Sequence, residues 1–341
     1  MAAPFEAAGL AILFLTAIGA AVLSAVLIVV LKPLLVRYAL ARPNARSSHK
    51  VPTPQGGGIA VVGASLIVAG AILVALDPPG SFLVAAAAAV GLALVGAVDD
   101  IRPLPAGFRL LLQVVAVATV VTVGGGRVLP DIPLLAEQAI LIFGGVWFVN
   151  LVNFMDGLDW ITVAEMVPIT GFVALLWLTD VLPTQAAIVA ASLCGALLGF
   201  APFNKPVARL FLGDVGSLPI GLLVGWMLLH LARTGTLAAA LLLPLYYLMD
   251  ATITLLRRLR RRERVWEAHR SHFYQKATDN GFSALSVSAH VFGLNLALAA
   301  LAAMTLAWRS EAVQVAALGL GVVLVSLVLR RFSRSPLEVS R

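Results

Sequence analysis

Charge is scarce in this sequence, and that scarcity excludes an ordinary soluble protein. Only 12% of the 341 residues are Asp, Glu, Lys or Arg, where about 25% is usual in soluble domains, and the mean hydropathy is +0.98. Cysteine is almost absent too. The one cysteine, Cys194, lies inside an apolar run, which excludes a disulfide framework and a cysteine-based metal site. The composition therefore predicts an integral membrane protein.

Long apolar runs are what the chain has instead of charge. A membrane-spanning helix needs roughly 20 mostly apolar residues. Eleven runs approach that length: 9–31, 58–76, 81–98, 108–124, 138–153, 161–179, 186–202, 218–233, 237–256, 286–307 and 312–330. No basic residue precedes the first run, and it is longer than the apolar core of a signal peptide. We therefore expect the first run to be a membrane helix and not a cleavable signal peptide. The predicted fold class is all-α, a polytopic membrane bundle of about eleven helices.

The distribution of basic residues predicts the topology. Of 24 Lys and Arg residues, 21 fall in one alternate set of loops or at the adjoining helix ends, and the other set holds Arg127, Arg233 and Arg309. Because cytoplasmic loops carry the excess of Lys and Arg, we expect the N-terminus outside and the C-terminus inside. The same rule accounts for the net charge of +7 without a nucleic-acid partner. With no visible internal repeat, residues 1–341 form one predicted transmembrane domain. Its candidate site is made by the cytoplasmic loops 32–57, 99–107, 153–160, 203–217 and 257–285.

Carboxylates gather on the predicted cytoplasmic side. The stretch from Asn153 to Asp159 ends an apolar run with a carboxamide and two carboxylates, and such groups near hydrocarbon are candidates for function. If the stretch is helical, Asp156 and Asp159 lie on one face. Asp99-Asp100 and Asp214 also stand at ends of apolar runs, where solvated helix ends or an N-cap are the alternatives. Oxygen ligands of this kind favour Mg²⁺, or Mn²⁺, and suit phosphoryl transfer.

Basic and imidazole groups face these carboxylates across the same interface. The first inner loop contains His49, Lys50 and then Gly56-Gly57-Gly58, where helix amides could bind an anion or simply make a flexible turn. The arginines at 257–264 are typical of an anchor to anionic lipid. Beyond them, His269-x-x-His272 suits phosphate contacts or proton transfer better than zinc, since no cysteine or third histidine is near.

Five motifs together resemble the polyprenyl-phosphate N-acetylhexosamine-1-phosphate transferase family, of the glycosyltransferase family 4 type. They occur in the family's order and on its cytoplasmic side. They are His49-x-x-Pro52-Thr53-Pro54-x-x-Gly57-Gly58, Asp99-Asp100, Asn153-x-x-Asp156-Gly157-Leu158-Asp159, Phe211-x-Gly213-Asp214-x-Gly216-Ser217 and His269-x-x-His272. Each motif alone is weak, but the five in this order are specific.

The resemblance implies a reaction and a role for each motif. A sugar 1-phosphate would pass from a UDP-N-acetylhexosamine to undecaprenyl phosphate with release of UMP, at the cytoplasmic face of a bacterial inner membrane. The resemblance is also compatible with a homodimer. The implied metal ligands are Asp214, as the principal one, with Asp99 and Asp100, which would also act on the lipid phosphate. The other implied residues are His49 and Lys50 in substrate binding, Asn153 and Asp156 near the nucleotide, Phe211 stacked on uracil, Asp159 supporting the site, and His269, Arg270 and His272 on the sugar or diphosphate.

Three departures bear on the subgroup. Pro103 stands where the family often has a further acidic residue, and Trp160 replaces a small residue after Asp159. The loop His269-Arg270-Ser271-His272 lacks the histidine-rich run of the phospho-N-acetylmuramoyl-pentapeptide transferases. The chain therefore looks more like the transferases that initiate O-antigen, lipopolysaccharide or other surface polysaccharides. The pentapeptide transferase is the alternative, and a secondary transporter is the alternative of another class.

Two further acidic residues lie within predicted helices. Asp250 is costly to bury, so we expect it to cap a helix or pair with an inner-face arginine. Glu165 receives the same interpretation. Gly195-x-x-x-Gly199 predicts close packing between two helices.

Overall fold

The computed structural model describes residues 2–41, 52–76, 80–264 and 269–334, with the side chains of residues 2–6 left out. His49 and Lys50, two of the predicted substrate-binding residues, lie outside the described residues. The described part is an all-α bundle with one small antiparallel pair of strands. Its elements are α1 Ala2–Tyr38, β1 Leu40–Ala41, β2 Thr53–Pro54, α2 Gly57–Leu76, α3 Gly80–Ile101, α4 Ala106–Val123, α5 Leu134–Met155, α6 Ile161–Leu175, α7 Thr184–Asn204, α8 Asp214–Arg233, α9 Leu237–Leu242, α10 Leu245–Arg260, α11 Phe273–Asp279, α12 Ala284–Ala307 and α13 Glu311–Phe332.

Ten helices in the described ranges are long and apolar enough to cross a membrane. The predicted multi-pass bundle is therefore confirmed, whereas the orientation of its termini stays a prediction. The run predicted as one helix over 237–256 differs, because it is divided into α9 and α10 at Leu243 and Pro244. Proline lacks the amide hydrogen that a continuous helix needs at this position. Hydropathy alone cannot detect such a break, since both halves are apolar.

The core of the bundle is built on α7 and α8. Of an 18-residue apolar stretch in each helix, 72% is buried in α7 and 83% in α8. The corresponding share is 22% in α4 and in α13, which lie at the periphery. Helix α1 packs closely on α7. A Cβ added at Gly195 would lie 1.9 Å from the Ala17 carbonyl oxygen, and one at Gly199 would lie 2.2 Å from that of Ala21. The close packing predicted from the spacing of these two glycines is confirmed.

Glycine also brings the helix ends that carry the motifs together. A Cβ at Gly96 of α3 would lie 2.3 Å from the Asp214 carbonyl, and one at Gly58 of α2 would lie 2.2 Å from the Gly216 Cα. The first residues of α2 are held by the loop before α8, since the amides of Gly57 and Gly58 donate to the carbonyls of Phe211 (2.9 Å) and Leu212 (2.8 Å). These two amides therefore join α2 to the loop before α8, and they are not available to bind an anion.

Candidate active site

The acidic centre lies where the end of α3 meets the starts of α4 and α8. Asp99 accepts hydrogen bonds from the Leu104 amide at 2.6 Å and from the guanidinium of Arg109. The same guanidinium nitrogen lies 3.7 Å from Oδ2 of Asp214. Arg109 was missed as a site residue, although it follows Asp99 by ten residues on the same predicted side of the membrane. Two carboxylates therefore converge on one cationic group.

Asp100 holds the start of α8. Its carboxylate oxygens accept from the amides of Asp214 at 3.0 Å and Val215 at 3.1 Å, so it caps a helix whose first residue is another aspartate. Gly213 has φ +78°, and a Cβ there would lie 2.6 Å from Oδ2 of Asp100. Only glycine suits both conditions. Asp100 thus positions Asp214, and its roles toward metal and lipid phosphate stay predictions.

Asn153 connects the turn after α5 to the acidic centre. Its amide nitrogen donates to Oδ1 of Asp214 at 2.7 Å and to the Ser217 hydroxyl at 2.9 Å. The predicted nucleotide contact of Asn153 is untested, but the residue clearly orients the Asp214 carboxylate. Asp214 is therefore held by Asn153 on one side and by the Asp100 cap at its amide on the other.

Asp156 lies next to this centre. Thr162 donates a hydrogen bond to its carboxylate. Burial, together with the charges of Asp214 and Asp100, raises the pKa of Asp156 to about 8 against the opposing hydrogen bond from Thr162. Asp156 is therefore largely protonated at neutral pH until a cation lowers the local negative potential.

Asp159 has partners different from those of Asp156. Helix α5 ends at Met155, so the two residues lie in a turn, and the expectation that they share a helix face is wrong. The Asp159 carboxylate accepts from the Ala208 amide at 3.0 Å, and its carbonyl accepts from Ser288 at 2.9 Å. These bonds connect the turn to the loop before α8 and to α12. They agree with a supporting position, although its function is untested.

Trp160 explains one departure from the family pattern. It has φ +65°, its indole nitrogen donates to the Ala201 carbonyl at 2.7 Å, and its amide donates to the Asn204 side chain at 2.8 Å. The large side chain thus fixes the entry of α6 against the end of α7. Phe211 lies in the loop before Gly213, where its amide donates to the Pro54 carbonyl at 2.9 Å. Its stacking on a base stays a prediction.

The histidine loop leads into the short helix α11. His272 is buried, and the His269 ring stacks on it with centroids 4.8 Å apart. Burial, together with the neighbouring His272 and Arg258, lowers the pKa of His269 to about 4, so the ring is neutral at pH 7. Arg270 forms an ion pair with Asp279 at 2.9 Å. The loop is thus internally tied, and the substrate roles of its residues stay predictions.

Asp250 binds this loop and caps the start of α11, which confirms one of the two expectations for it; its side-chain partner here is His272 and not the inner-face arginine of the other expectation. Its carboxylate is fully buried and lies 3.2 Å from Nδ1 of His272. The amides of Phe273 and Tyr274 donate to it at 3.0 and 3.2 Å. Buried Glu165 likewise accepts hydrogen bonds from the Tyr247 amide at 3.3 Å and from the Asn295 side chain at 2.6 Å. Backbone amides at the starts of α11 and α10 thus donate hydrogen bonds to the buried carboxylates of Asp250 and Glu165, respectively.

The acidic centre fits a hard divalent cation. Asp99 and Asp214 present oxygens to the one point that the Arg109 guanidinium approaches, and Mg²⁺ is commonly held by one or two carboxylates together with substrate phosphates. No group of three or more His, Cys, Asp or Glu side chains that could hold a metal occurs among the described residues. The centre therefore suits a cation that arrives with phosphate oxygens better than one enclosed by protein.

Comparison with known proteins shows which family the chain resembles. Residues 82–232 match the model of glycosyl transferase family 4. The chain is 32% identical over 216 residues to a decaprenyl-phosphate N-acetylglucosaminephosphotransferase of Mycobacterium tuberculosis, covering 54% of this chain and 52% of that protein. It is 24% identical over 285 residues to a probable undecaprenyl-phosphate N-acetylglucosaminyl 1-phosphate transferase of Bacillus subtilis, covering 77% of each.

A third relative represents another branch. The chain is 34% identical over 228 residues to a phospho-N-acetylmuramoyl-pentapeptide-transferase of Synechococcus, covering 61% of this chain and 64% of that protein. The chain spans about half the length of the mycobacterial relatives it matches. The matched family model covers Asp99, Asp100, Asn153, Asp156 and Asp214, the residues that the fold gathers at one end of the bundle. This multi-pass membrane protein is therefore similar, over residues 82–232, to glycosyl transferase family 4.

Proposed function

We propose that this protein transfers N-acetylhexosamine 1-phosphate from a UDP-sugar to a polyprenyl phosphate, with Mg²⁺, and releases UMP. The observation that carries the proposal is the convergence of Asp99 and Asp214 on one cationic group, with Asp156 beside them. Carboxylates arranged around a cation suit the transfer of a phosphoryl group between two polyanionic substrates. The mycobacterial and Bacillus relatives make N-acetylglucosamine the first sugar to test and undecaprenyl phosphate a suitable acceptor.

The transfer breaks one bond and forms another at the same phosphorus. An oxygen of the acceptor phosphate attacks the phosphorus that carries the sugar, and the bond from that phosphorus to the bridging oxygen breaks, so that UMP leaves. A phosphate monoester has mostly lost its second proton at pH 7, with a pKa of about 6, so the attacking oxygen needs little help from a base. The required chemistry is therefore mainly positioning and neutralisation of charge.

The residues divide this work between them. When bound, Mg²⁺ would neutralise charge on the diphosphate, and Asp99 and Asp214 would hold it. Asn153 and Asp100 fix the side chain and the backbone of Asp214, respectively. Arg109 is placed to pair with a phosphate once a metal takes over its contacts with the two carboxylates.

Two alternatives remain to be tested with the same protein. The Synechococcus relative supports a muramoyl-pentapeptide substrate, but His269-Arg270-Ser271-His272 offers no run of adjacent histidines. For a secondary transporter we would expect a midplane site, whereas the motif carboxylates stand at helix ends on one side of the bundle. We place the activity at the cytoplasmic face of a bacterial inner membrane, in O-antigen or another surface polysaccharide pathway.

The decisive experiment measures UMP release by purified protein with undecaprenyl phosphate and Mg²⁺. UDP-N-acetylglucosamine, UDP-N-acetylgalactosamine and UDP-N-acetylmuramoyl-pentapeptide are compared, each with a no-lipid and a no-metal control. Lipid- and metal-dependent UMP from one of the first two donors supports the proposal. Release from the pentapeptide donor alone supports the alternative, and no release from any donor by folded protein contradicts the assigned reaction.

A further inference from the structure

The carboxylate of Asp250 has more donors around it than helix capping requires. It lies in α10, is 0% exposed, and belongs to none of the five sequence motifs. Five donors surround it: the Tyr246 hydroxyl at 3.2 Å, the Thr254 hydroxyl at 3.4 Å, His272 Nδ1 at 3.2 Å, the Phe273 amide at 3.0 Å and the Tyr274 amide at 3.2 Å. A single side chain of α10 therefore anchors the histidine loop at its junction with α11.

The two oxygens of this carboxylate have different partners. Oδ1 faces His272 Nδ1 and the Phe273 amide, whereas Oδ2 faces the Tyr274 amide and the Tyr246 hydroxyl. An imidazole nitrogen beside a buried carboxylate carries the proton, because the carboxylate can only accept. The proton on Nδ1 leaves Nε2 of His272 as the nitrogen available to a proton or to a phosphate group.

Helix α11 transmits this anchoring to the motif turn after α5. The Tyr274 hydroxyl donates to the Phe154 carbonyl at 3.2 Å. A Cβ at Gly157 would lie 2.2 Å from the same hydroxyl, so Tyr274 occupies the space that a side chain at residue 157 would need. The His272 and Tyr274 rings are stacked at 5.7 Å. The histidine, α11 and the turn that contains Asp156 are thus held in one arrangement.

We propose that Asp250 is a positioning residue for the transfer reaction. It keeps the proton of His272 on Nδ1, fixes the plane of that ring, and seats α11 on the turn between Asn153 and Asp159. Its effect on turnover rests on the proposed function, whereas its effect on the imidazole does not. The same logic of a buried carboxylate that fixes a histidine recurs in hydrolases and metal sites.

A double-mutant cycle separates this role from that of a simple helix cap. Asp250→Asn keeps the size of the side chain, and we expect it to lower kcat about 10- to 100-fold with a change in donor KM below about threefold. In a His272→Ala background, the same substitution should lower kcat by a clearly smaller factor, because only the seating of α11 is then left to lose. Equal losses in both backgrounds, or full activity of Asp250→Asn, would overturn the proposal.

Matched controls remove other donors from the same carboxylate. Tyr246→Phe and Thr254→Val each delete one hydroxyl and leave the bond to His272 intact. We expect kcat within about threefold of wild type for both, because neither donor touches the imidazole. A loss in these controls as large as that in Asp250→Asn would mean that the whole cluster acts only as packing.

A spectroscopic readout tests the inference without any turnover. The chain has five histidines, so ¹⁵N-histidine NMR in lipid nanodiscs is tractable, with His272→Gln to assign the signal. A protonated Nδ1 on His272 in the wild-type protein is expected, and an unprotonated Nδ1 would overturn the proposal. If the wild type releases no UMP but shows a protonated Nδ1, the proposed reaction fails and the positioning of the ring stands.

Discussion

The two ends of α5 carry buried carboxyl groups in contrasting surroundings. At its start, Glu137 forms an ion pair with Arg127. Its carboxylate also accepts hydrogen bonds from the Val128 amide at 2.5 Å and the Leu129 amide at 3.0 Å. Just beyond its other end, Asp156 lies near Asp214 and Asp100; burial raises its pKa, and their negative charges add to the shift. The Glu137 cluster is balanced by groups from its own loop, whereas the acidic centre accumulates carboxylates. An imbalance of this kind, together with burial, marks the end of the bundle where a cation and phosphates belong.

The largest effect should come from removing a carboxylate of the acidic centre. We expect Asp214→Asn to lower UMP release by about 10³-fold, because the substitution removes a charge that holds the cation. Asn153 and Asp100 still hold the residue, so the thermal unfolding temperature should change little. Asp131→Asn, at an exposed carboxylate of the loop between α4 and α5, is the matched control and should keep full activity. Near-normal turnover of Asp214→Asn at saturating Mg²⁺ would contradict the metal assignment.

Arg109 tests the cationic side of the same comparison. We expect Arg109→Gln to lower kcat/KM for the UDP-sugar about 10- to 100-fold, because the guanidinium placed beside Asp99 and Asp214 can then no longer pair with phosphate. Arg102→Gln, at an exposed position between α3 and α4, should change kcat/KM by less than about twofold. If both variants lose the same activity, general attraction between a basic loop and the nucleotide explains the effect better than a specific contact.

Cation binding should release a proton from the acidic centre. The pKa of Asp156 is raised to about 8, and a neighbouring cation favours the ionised carboxylate, so Mg²⁺ binding should lower that pKa. Mg²⁺ affinity should therefore increase with pH up to about 8, by at most about tenfold per unit, and level off above it. Calorimetry in two buffers of different ionisation enthalpy measures the released protons. An Asp156→Asn protein that releases as many protons as wild type would locate the titrating group elsewhere.

The smallest effect on activity should come from the balanced end of α5. We expect Glu137→Gln to change turnover by less than about twofold, because this cluster is far from the motif residues along the helix. The unfolding temperature should fall by several degrees, since the Arg127 guanidinium loses its charged partner. Differential scanning fluorimetry in detergent measures the shift. A large loss of turnover with unchanged stability would mean that the two ends of the bundle are coupled.

Composition and motif order predicted much of this architecture. The apolar runs correspond to the ten spanning helices and the divided α9–α10 pair, because membrane insertion depends on hydropathy that is visible residue by residue. The set of residues at the site was also largely predictable, since five motifs share one predicted face. The polar groups of these motifs were conspicuous because they stand at the ends of apolar runs.

The partner of each polar group could not be predicted in the same way. Asp100 reaches the amide of Asp214, 114 residues away in sequence, and Asp250 reaches His272 across a loop of arginines. Such pairings depend on how the helices pack, which no local pattern encodes. Arg109 was interpreted only as a topology marker for this reason. The break at Pro244 had one local signal, but the surrounding hydropathy concealed it.

The close approach of α3 to α8 has a consequence for how this protein tolerates mutation. Gly96 lies within the apolar part of α3 and has no chemistry of its own, yet a single methyl group there would collide with the peptide group that starts α8. The geometry of the acidic centre is therefore vulnerable at a position that hydropathy would class as harmless. If the proposed reaction is correct, random mutagenesis should return inactive, correctly inserted variants from such uncharged positions as well as from the aspartates, so the mutational target is larger than the set of reactive side chains.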